Sequence, residues 1–298
     1  MKTAPLQTVQ DFINFITNES NSFIASAGKA VEQLKLAPQQ DQTAQLSYEI
    51  LADLCESARE LSGKIHRLKF AYDWELPPGP EWMDHFIDQH LQFRLFRNSL
   101  WVERGVYGVL ALKQGARILE LCCGDGFNAY HFYSLFAESI IAVDFDDTAL
   151  AHARRYNAAP NIEHRRADIR TEMPEGSFTN ITWDAAIEHF TEDEIAGIMA
   201  GIKQRLAPGG ILSGYTLVER NDGQLHLHQH EREFHSKQDL ADFLKPYFAH
   251  VQVFETIFPM RHNLYFWASD SAIPFHPEWD HGQTYENGKL VRGKPQSA

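Results

Sequence analysis

The stretch Arg117–Phe127, RILELCCGDGF, decides how this chain is read. Ile118, Leu119 and Leu121 make a short apolar run of the kind that fills a buried strand. Cys122 to Gly126 then make a turn, and Glu120 stands at the strand end just before it. Gly124 and Gly126 let the backbone pass close to a ligand, and amides at the start of a following helix can hold an anionic group. A dinucleotide fingerprint would put glycines at positions 122, 124 and 127, but Cys122 and Phe127 occupy two of these. The large Phe127 hinders the close helix–strand packing that the third glycine permits. Glu120 suits a ligand cation. A ligand with both an ammonium and a carboxylate therefore fits this turn better than a pyrophosphate.

From Arg117 onward, strands alternate with helices. Strands are predicted near 117–121, 139–143, 162–166, 181–185, 210–217, 249–256 and 263–268, and helices near 127–136, 146–157, 191–206 and 236–246. Thr191-x-x-Glu194 reads as a capping box, and Ser236 as the N-cap of the helix KQDLADFL. Such alternation implies an α/β fold with a doubly wound, mostly parallel sheet. Only FPMRH separates the last two strands, too short for a parallel crossover, so they form an antiparallel pair at an edge.

In such a sheet, ligands sit outside the carboxyl ends of the central strands. Three successive ends carry acids. After Glu120, IIAVDFD ends the second strand with Asp144, where a carboxylate can bind ribose hydroxyls, and Phe145 follows, able to lie against an adenine ring. EHRRADI ends the third with Asp168, suited to accept from an exocyclic amine. The fourth end, WDAAIEHF, brings Asp184, Glu188 and His189, with His189 best suited by its ordinary pKa to act as a base. The plain alternatives are helix caps, solvated strand ends and, for Glu188–His189, a structural turn.

The run from ILELCCGDG through IIAVDFD and RRADI to ITWDAAIEHF and LAPGGILSGY resembles the class I S-adenosylmethionine-dependent methyltransferases over roughly residues 81–270. The family's first motif commonly has glycine where Cys122 stands, a departure expected to change the loop's shape. The resemblance implies S-adenosylmethionine as cofactor. Glu120, Cys122 and the Gly124–Gly126 turn would hold its methionine part, Asp144 its ribose, Phe145 its adenine face, and Asp168 with Ile169 its adenine edge. It also implies a reaction centre at Asp184, Glu188 and His189, with O-methylation of a small-molecule or glycan-like acceptor as the expected reaction. A nucleotide-dependent oxidoreductase and a non-catalytic cofactor-binding scaffold are the competing readings.

One cluster stands outside that scheme. In QLHLHQHEREFHS, His226, His228 and His230 recur at period two, which puts them on one face of an extended segment. Three histidines on one strand seldom close a coordination sphere, so a pocket wall or a substrate-contacting polar face is expected there and no metal.

Before Arg117 the chain reads as helices. Leu6, Val9, Ile13, Ile16, Ser20, Phe23, Ala27, Val31 and Leu34, then Leu51, Leu54, Ala58, Leu61, Ile65 and Leu68, recur at three- and four-residue intervals. A turn containing Pro38 joins these seams into an antiparallel hairpin over 1–75, packed either on its own chain or on a second copy as a homo-oligomer. ELPPGPEW is a linker, and the aromatic-rich segment after it either packs on the following domain or roofs a pocket. The methyltransferase-like domain spans 81–275, and an irregular tail covers 276–298.

Composition bounds the rest. The 298 residues carry a net charge of −13, which argues against nucleic acid as a partner. The N-terminus lacks the pattern of a signal peptide, and no apolar run approaches the roughly 20 residues of a membrane helix. Three cysteines, two of them adjacent, suit a reducing, cytoplasmic setting better than a disulfide framework.

Overall fold

The computed structural model describes residues 8–35, 40–73, 89, 99–112, 115–220, 223, 225–227, 229–259, 261–273, 283–286 and 289–292. It divides into two compact units, 1–80 and 81–298. The ELPPGPEW linker and the Pro38 turn lie outside the described residues.

The first unit is a helical hairpin of α1 (Val9–Lys35) and α2 (Gln40–Asp73). Glu19 pairs with Lys64 at 2.7 Å, and Ala30 and Ile50 are buried, so the two helices run in opposite directions. The seam is only partly covered. Ala30 and Leu68 are buried, but Ile13 is 50% and Leu51 60% exposed. Two helices can each bury one stripe against the other, which leaves part of a wider apolar surface uncovered.

In the second unit, α3 (Leu100–Ala111) leads into a sheet whose strands are β1 (Ala116–Leu121), β2 (Ala137–Asp144), β3 (Ile162–Arg166), β4 (Phe178–Asp184), β5 (Leu206–Leu217), β6 (His250–Phe258), β7 (Arg261–Ser269), β8 (Gln283–Glu286) and β9 (Lys289–Arg292). Between them lie α4 (Phe127–His131), α5 (Asp147–Tyr156), α6 (Glu192–Arg205) and α7 (Lys237–Leu244). The strand order is β3-β2-β1-β4-β5-β7-β6-β8-β9. β1 to β5 run parallel, and β7 is antiparallel to both β5 and β6. The doubly wound sheet with its antiparallel strand pair is as the alternation predicts.

Two details differ, and a third is as expected. The helix expected over 127–136 stops at His131 and continues as a 3-10 turn, Tyr133–Leu135, where Phe132 leaves helical geometry at φ −124°. The tail, read as irregular, contributes β8 and β9, so the backbone of β8 covers the outer edge of β6. The aromatic segment is described only from Ser99 on, apart from Gln89, and α3 packs on the sheet. Trp267 Nε1 donates to the Tyr107 carbonyl at 3.2 Å, and the Tyr107 and Tyr265 rings stack at 4.2 Å.

The core forms on both sheet faces. Leu119, Leu121, Ile181 and Trp183 pack with Ile195, Ile198 and Met199 of α6, while Ile118, Ile140 and Ala142 pack with Ala129, Tyr133 and Leu150. Because side chains alternate along β1, Glu120 shares the face of Ile118. The helix caps are as read. Thr191 and Glu194 close a capping box, and Ser236 Oγ accepts from Asp239 N at 3.1 Å.

Candidate functional site

β1 and β4 are neighbours at the point where the strand order reverses, which opens a crevice at their carboxyl ends. The only two non-glycine residues with positive φ among those described stand there: Cys122 at 55°, after β1, and Ala185 at 53°, after β4. Left-handed backbone at a non-glycine residue costs roughly 1–2 kcal/mol, and such strain gathers at functional sites. Cys122 therefore takes a left-handed backbone that a glycine would adopt at less cost. Burial pushes its thiol well up, reinforced by Asp144, Asp168 and Glu188, so it stays neutral.

The loop is held from below. Gly124 N donates to Asp144 Oδ2 at 2.8 Å, and Asp146 N donates to Asp144 Oδ1 at 2.9 Å. The Asp144 carboxylate still has lone-pair capacity for a further donor. Burial raises the Asp144 carboxyl, with the Asp146 and Gly124 amides pulling against it. Beside it Phe145 is 53% exposed, a ring face open to a ligand. Gly126 is left-handed at φ 73°, and a Cβ there would come within 2.8 Å of His164 Nε2.

Asp168 is less free than its position suggests. Its carboxylate takes Arg170 Nε at 2.9 Å and Nη2 at 2.7 Å, and this pairing lowers its pKa. Ile169 beside it is buried.

Glu120 is buried, and among the described residues its Oε2 has no hydrogen-bond partner. Burial pushes its carboxyl well above the usual range, Asp184, Asp125 and Asp144 push the same way, and Arg104 pulls against them. Asp184 accepts from Tyr133 Oη at 2.8 Å and Asn128 Nδ2 at 3.1 Å. Burial raises its pKa too, with Arg104 opposing. Arg104, from α3, is itself buried, with its guanidinium 4.7 Å from the Trp101 ring centre. Arg104 has no signal in the sequence, because an arginine in an aromatic helix carries no motif. Nor did it mark Tyr133 and Asn128, which join the site only when the turn after Gly126 folds back on β4.

Beyond β4, Glu188 and His189 lie on a 3-10 turn, Ile187–His189. Glu188 is buried, and its Oε2 accepts from Thr216 Oγ1 at 3.1 Å. The His189 Nδ1 lies 3.3 Å from the Gln229 carbonyl oxygen. A carbonyl only accepts, so Nδ1 carries the proton and Nε2 keeps a lone pair when the ring is neutral. The Glu188 carbonyl accepts from Glu231 N at 2.8 Å and Arg232 N at 3.1 Å, binding this turn to the histidine-rich segment.

That segment is not the strand its period-two pattern suggests. His230 N donates to the Leu227 carbonyl in a turn, and His226 and His230 converge on the buried Glu233 rather than sharing a strand face. The acidic side chain three residues on from His230 draws both imidazoles to itself and outweighs the alternation. His228 lies outside the described residues.

The arrangement gathers carboxylates at successive strand ends, one of them with an unpartnered oxygen, around a crevice holding one buried arginine. Such a crevice favours a cationic ligand and repels a pyrophosphate. The donor set fits S-adenosylmethionine, which brings a sulfonium and an ammonium.

Comparison with known proteins agrees. Residues 118–210 match the family model described as a methyltransferase domain. A probable S-adenosylmethionine-dependent methyltransferase of Mycobacterium tuberculosis is 38% identical over 96 residues, 30% of this chain and 34% of that protein. An uncharacterized methyltransferase of Synechocystis sp. is 27% identical over 105 residues, 35% of this chain and 48% of that protein. The chain thus spans about half or less of the length of these curated relatives. The solved DhpI–SAH complex is 18% identical, with a TM-score of 0.46, covering 63% of this chain and 94% of that one. Among the described residues no helix is long and apolar enough to cross a membrane. With its motifs at the strand ends, residues 118–210 of this chain match a methyltransferase domain, and the chain is similar over that part to S-adenosylmethionine-dependent methyltransferases.

Proposed function

We propose that this chain transfers a methyl group from S-adenosylmethionine to an oxygen of a small-molecule or glycan-like acceptor. The observation that carries the cofactor half is the buried Glu120, with Oε2 unpartnered, in a crevice shared with Asp144 and Asp184. Bound there, the cofactor supplies an electrophilic methyl on a sulfonium, and the protein supplies orientation. Glu120 balances the ammonium. Asp144 accepts from the ribose with its remaining lone pairs, Phe145 lies along the adenine, and Ile169 with Asp168 bounds its edge, Asp168 sharing its carboxylate with Arg170.

Deprotonation of a hydroxyl falls to the Glu188–His189 turn. His189 is half-buried, and the Gln229 carbonyl fixes the tautomer that leaves Nε2 as the proton acceptor. Asp184, held by Tyr133 and Asn128, shapes the crevice between the two halves. The oxidoreductase reading has the carboxylate-rich crevice against it, since a pyrophosphate brings more negative charge. The hairpin of residues 1–75 is assigned to self-association, because its exposed Ile13, Ile24 and Leu51 suit a second copy of the same hairpin.

The test is a titration of the full chain with S-adenosylhomocysteine and, separately, with NAD. Binding of the first at one site per chain and not of the second is expected. Tight NAD binding without S-adenosylhomocysteine binding would overturn the proposal.

A further inference from the structure

Three ligand-type side chains that lie far apart in the sequence meet beside the reaction centre. One nitrogen from each of His189 and His230 and one oxygen from Glu188 all fall within 4.8 Å of one another. The two rings stand edge to face with centres 4.8 Å apart. Glu188 and His230 are buried, and His189 is partly open.

The hydrogen bonds behind these groups make the set more than a coincidence of polar residues. A metal-binding histidine usually donates its other ring N–H to a carboxylate or a backbone carbonyl, which fixes the tautomer and aims the free nitrogen. Both histidines have such a partner. His189 Nδ1 faces the Gln229 carbonyl at 3.3 Å, and His230 Nδ1 bonds Glu233 Oε1. Glu233 is fully buried, and it also takes His226 Nδ1 at 2.8 Å and His226 N at 2.7 Å. Glu188 has its own brace in Thr216 Oγ1.

We infer that Glu188, His189 and His230 bind a divalent transition-metal ion. Two imidazoles and one carboxylate suit zinc, cobalt or iron(II) rather than magnesium or calcium, which prefer all-oxygen sets. A tetrahedral ion with bonds of about 2.0–2.1 Å separates its ligand atoms by about 3.3 Å, so the side chains close by up to about 1.5 Å on binding. Three protein ligands leave a position for an outside oxygen. The site stands on this geometry alone. Its use in methyl transfer rests on the function proposed above: an acceptor hydroxyl on the ion gives its proton to water and keeps the electron pair. That pair then bonds the methyl carbon as the carbon–sulfur bond breaks and its electrons return to sulfur. The ion thereby takes over the task of the free His189 nitrogen.

The test uses the full, untagged chain after chelation, titrated with Co²⁺ followed by its visible absorption and with Zn²⁺ by calorimetry. One ion per chain is expected. His230→Ala, His189→Ala and Glu188→Gln should each weaken it by more than about 100-fold, and Glu233→Gln, acting through the histidine it orients, by about 10–100-fold. His152→Ala, on α5, should change nothing. Thermal melts and S-adenosylhomocysteine titration of each variant show whether the fold and the cofactor half are intact. Should Glu188→Gln not fold, His230→Ala decides. No ion bound, or an unchanged affinity in folded His230→Ala, overturns the metal site and leaves the cofactor proposal untouched. Failure of S-adenosylhomocysteine to bind while the ion still binds does the reverse.

Discussion

The carboxyl ends of β1 to β3 and those of β4 and β5 form two halves of one crevice, and they are built differently. In the first half Asp144 is held by the amides of Asp146, two residues on, and of Gly124 in the adjoining β1 turn, and Asp168 by Arg170, two residues on. In the second half the partners come from far along the chain. His189 meets Gln229 across 40 residues, and Glu188 meets Thr216 across 28. Short loops on rigid strands preorganise a site for one unvarying ligand. A site closed by a distant segment, here the loop after β5, can change its acceptor without disturbing the cofactor half. The difference teaches where specificity is expected to reside: in residues 219–235, not in the glycine turn.

The comparison can be broken by variants placed in one half at a time. The largest effect is expected from His189→Ala. Turnover, read as S-adenosylhomocysteine release with a panel of hydroxylated acceptors, should fall by about 10²–10⁴-fold, with cofactor affinity nearly unchanged. A matching loss of cofactor affinity would show that the halves are not separate.

Glu120→Gln should act on the other half, in two opposite senses. Cofactor affinity should fall by about tenfold or more, as for a lost charge-assisted hydrogen bond. In the unmodified protein that affinity should rise with pH as Glu120 ionises, through a range above the ordinary carboxylate pKa because burial raises it. The variant should lose that dependence. The sign for stability is the reverse. A carboxyl whose folded pKa lies above its unfolded value stabilises the fold only below the unfolded pKa, and that contribution is lost as pH rises through the folded pKa. Free of ligand at neutral pH, Glu120→Gln should therefore melt higher than the parent. A lower melting temperature would mean that the buried carboxylate is paired after all.

A smaller change is expected of Asp168→Asn. The pair with Arg170 is solvent-exposed and worth about 0–1 kcal/mol, and the side chain has only part of its capacity left for an adenine amine. Affinity for S-adenosylhomocysteine should fall less than for Glu120→Gln, measured by the same titration. Removal of residues 1–80 should have the least effect on cofactor affinity, and it should convert a self-associated species to a monomer by light scattering. A monomeric intact protein would refute that role for the hairpin.

What could be read in the sequence follows the same division. The ends of β1, β2 and β3 announce themselves because the apolar strand, the acid and the turn are contiguous, so local spacing carries the geometry. The capping box at Thr191 and the N-cap at Ser236 were legible for the same reason. Arg104, Tyr133 and Asn128 were not, because their roles depend on how α3 and the turn after Gly126 lie over β1 and β4. The convergence of His226 and His230 on Glu233 was hidden by a period-two pattern that imitates a strand. The hairpin of β8 and β9 was missed although Asn287-Gly288, a common turn pair, stands between two short runs.

The most direct test of the central claim is calorimetric titration of the full chain and of Asp144→Ala with S-adenosylhomocysteine. The account predicts one site per chain, and a loss of about 1–3 kcal/mol in the variant, whose ribose-facing acceptors are gone. No binding by the parent, or equal affinity in a folded Asp144→Ala protein, would contradict it.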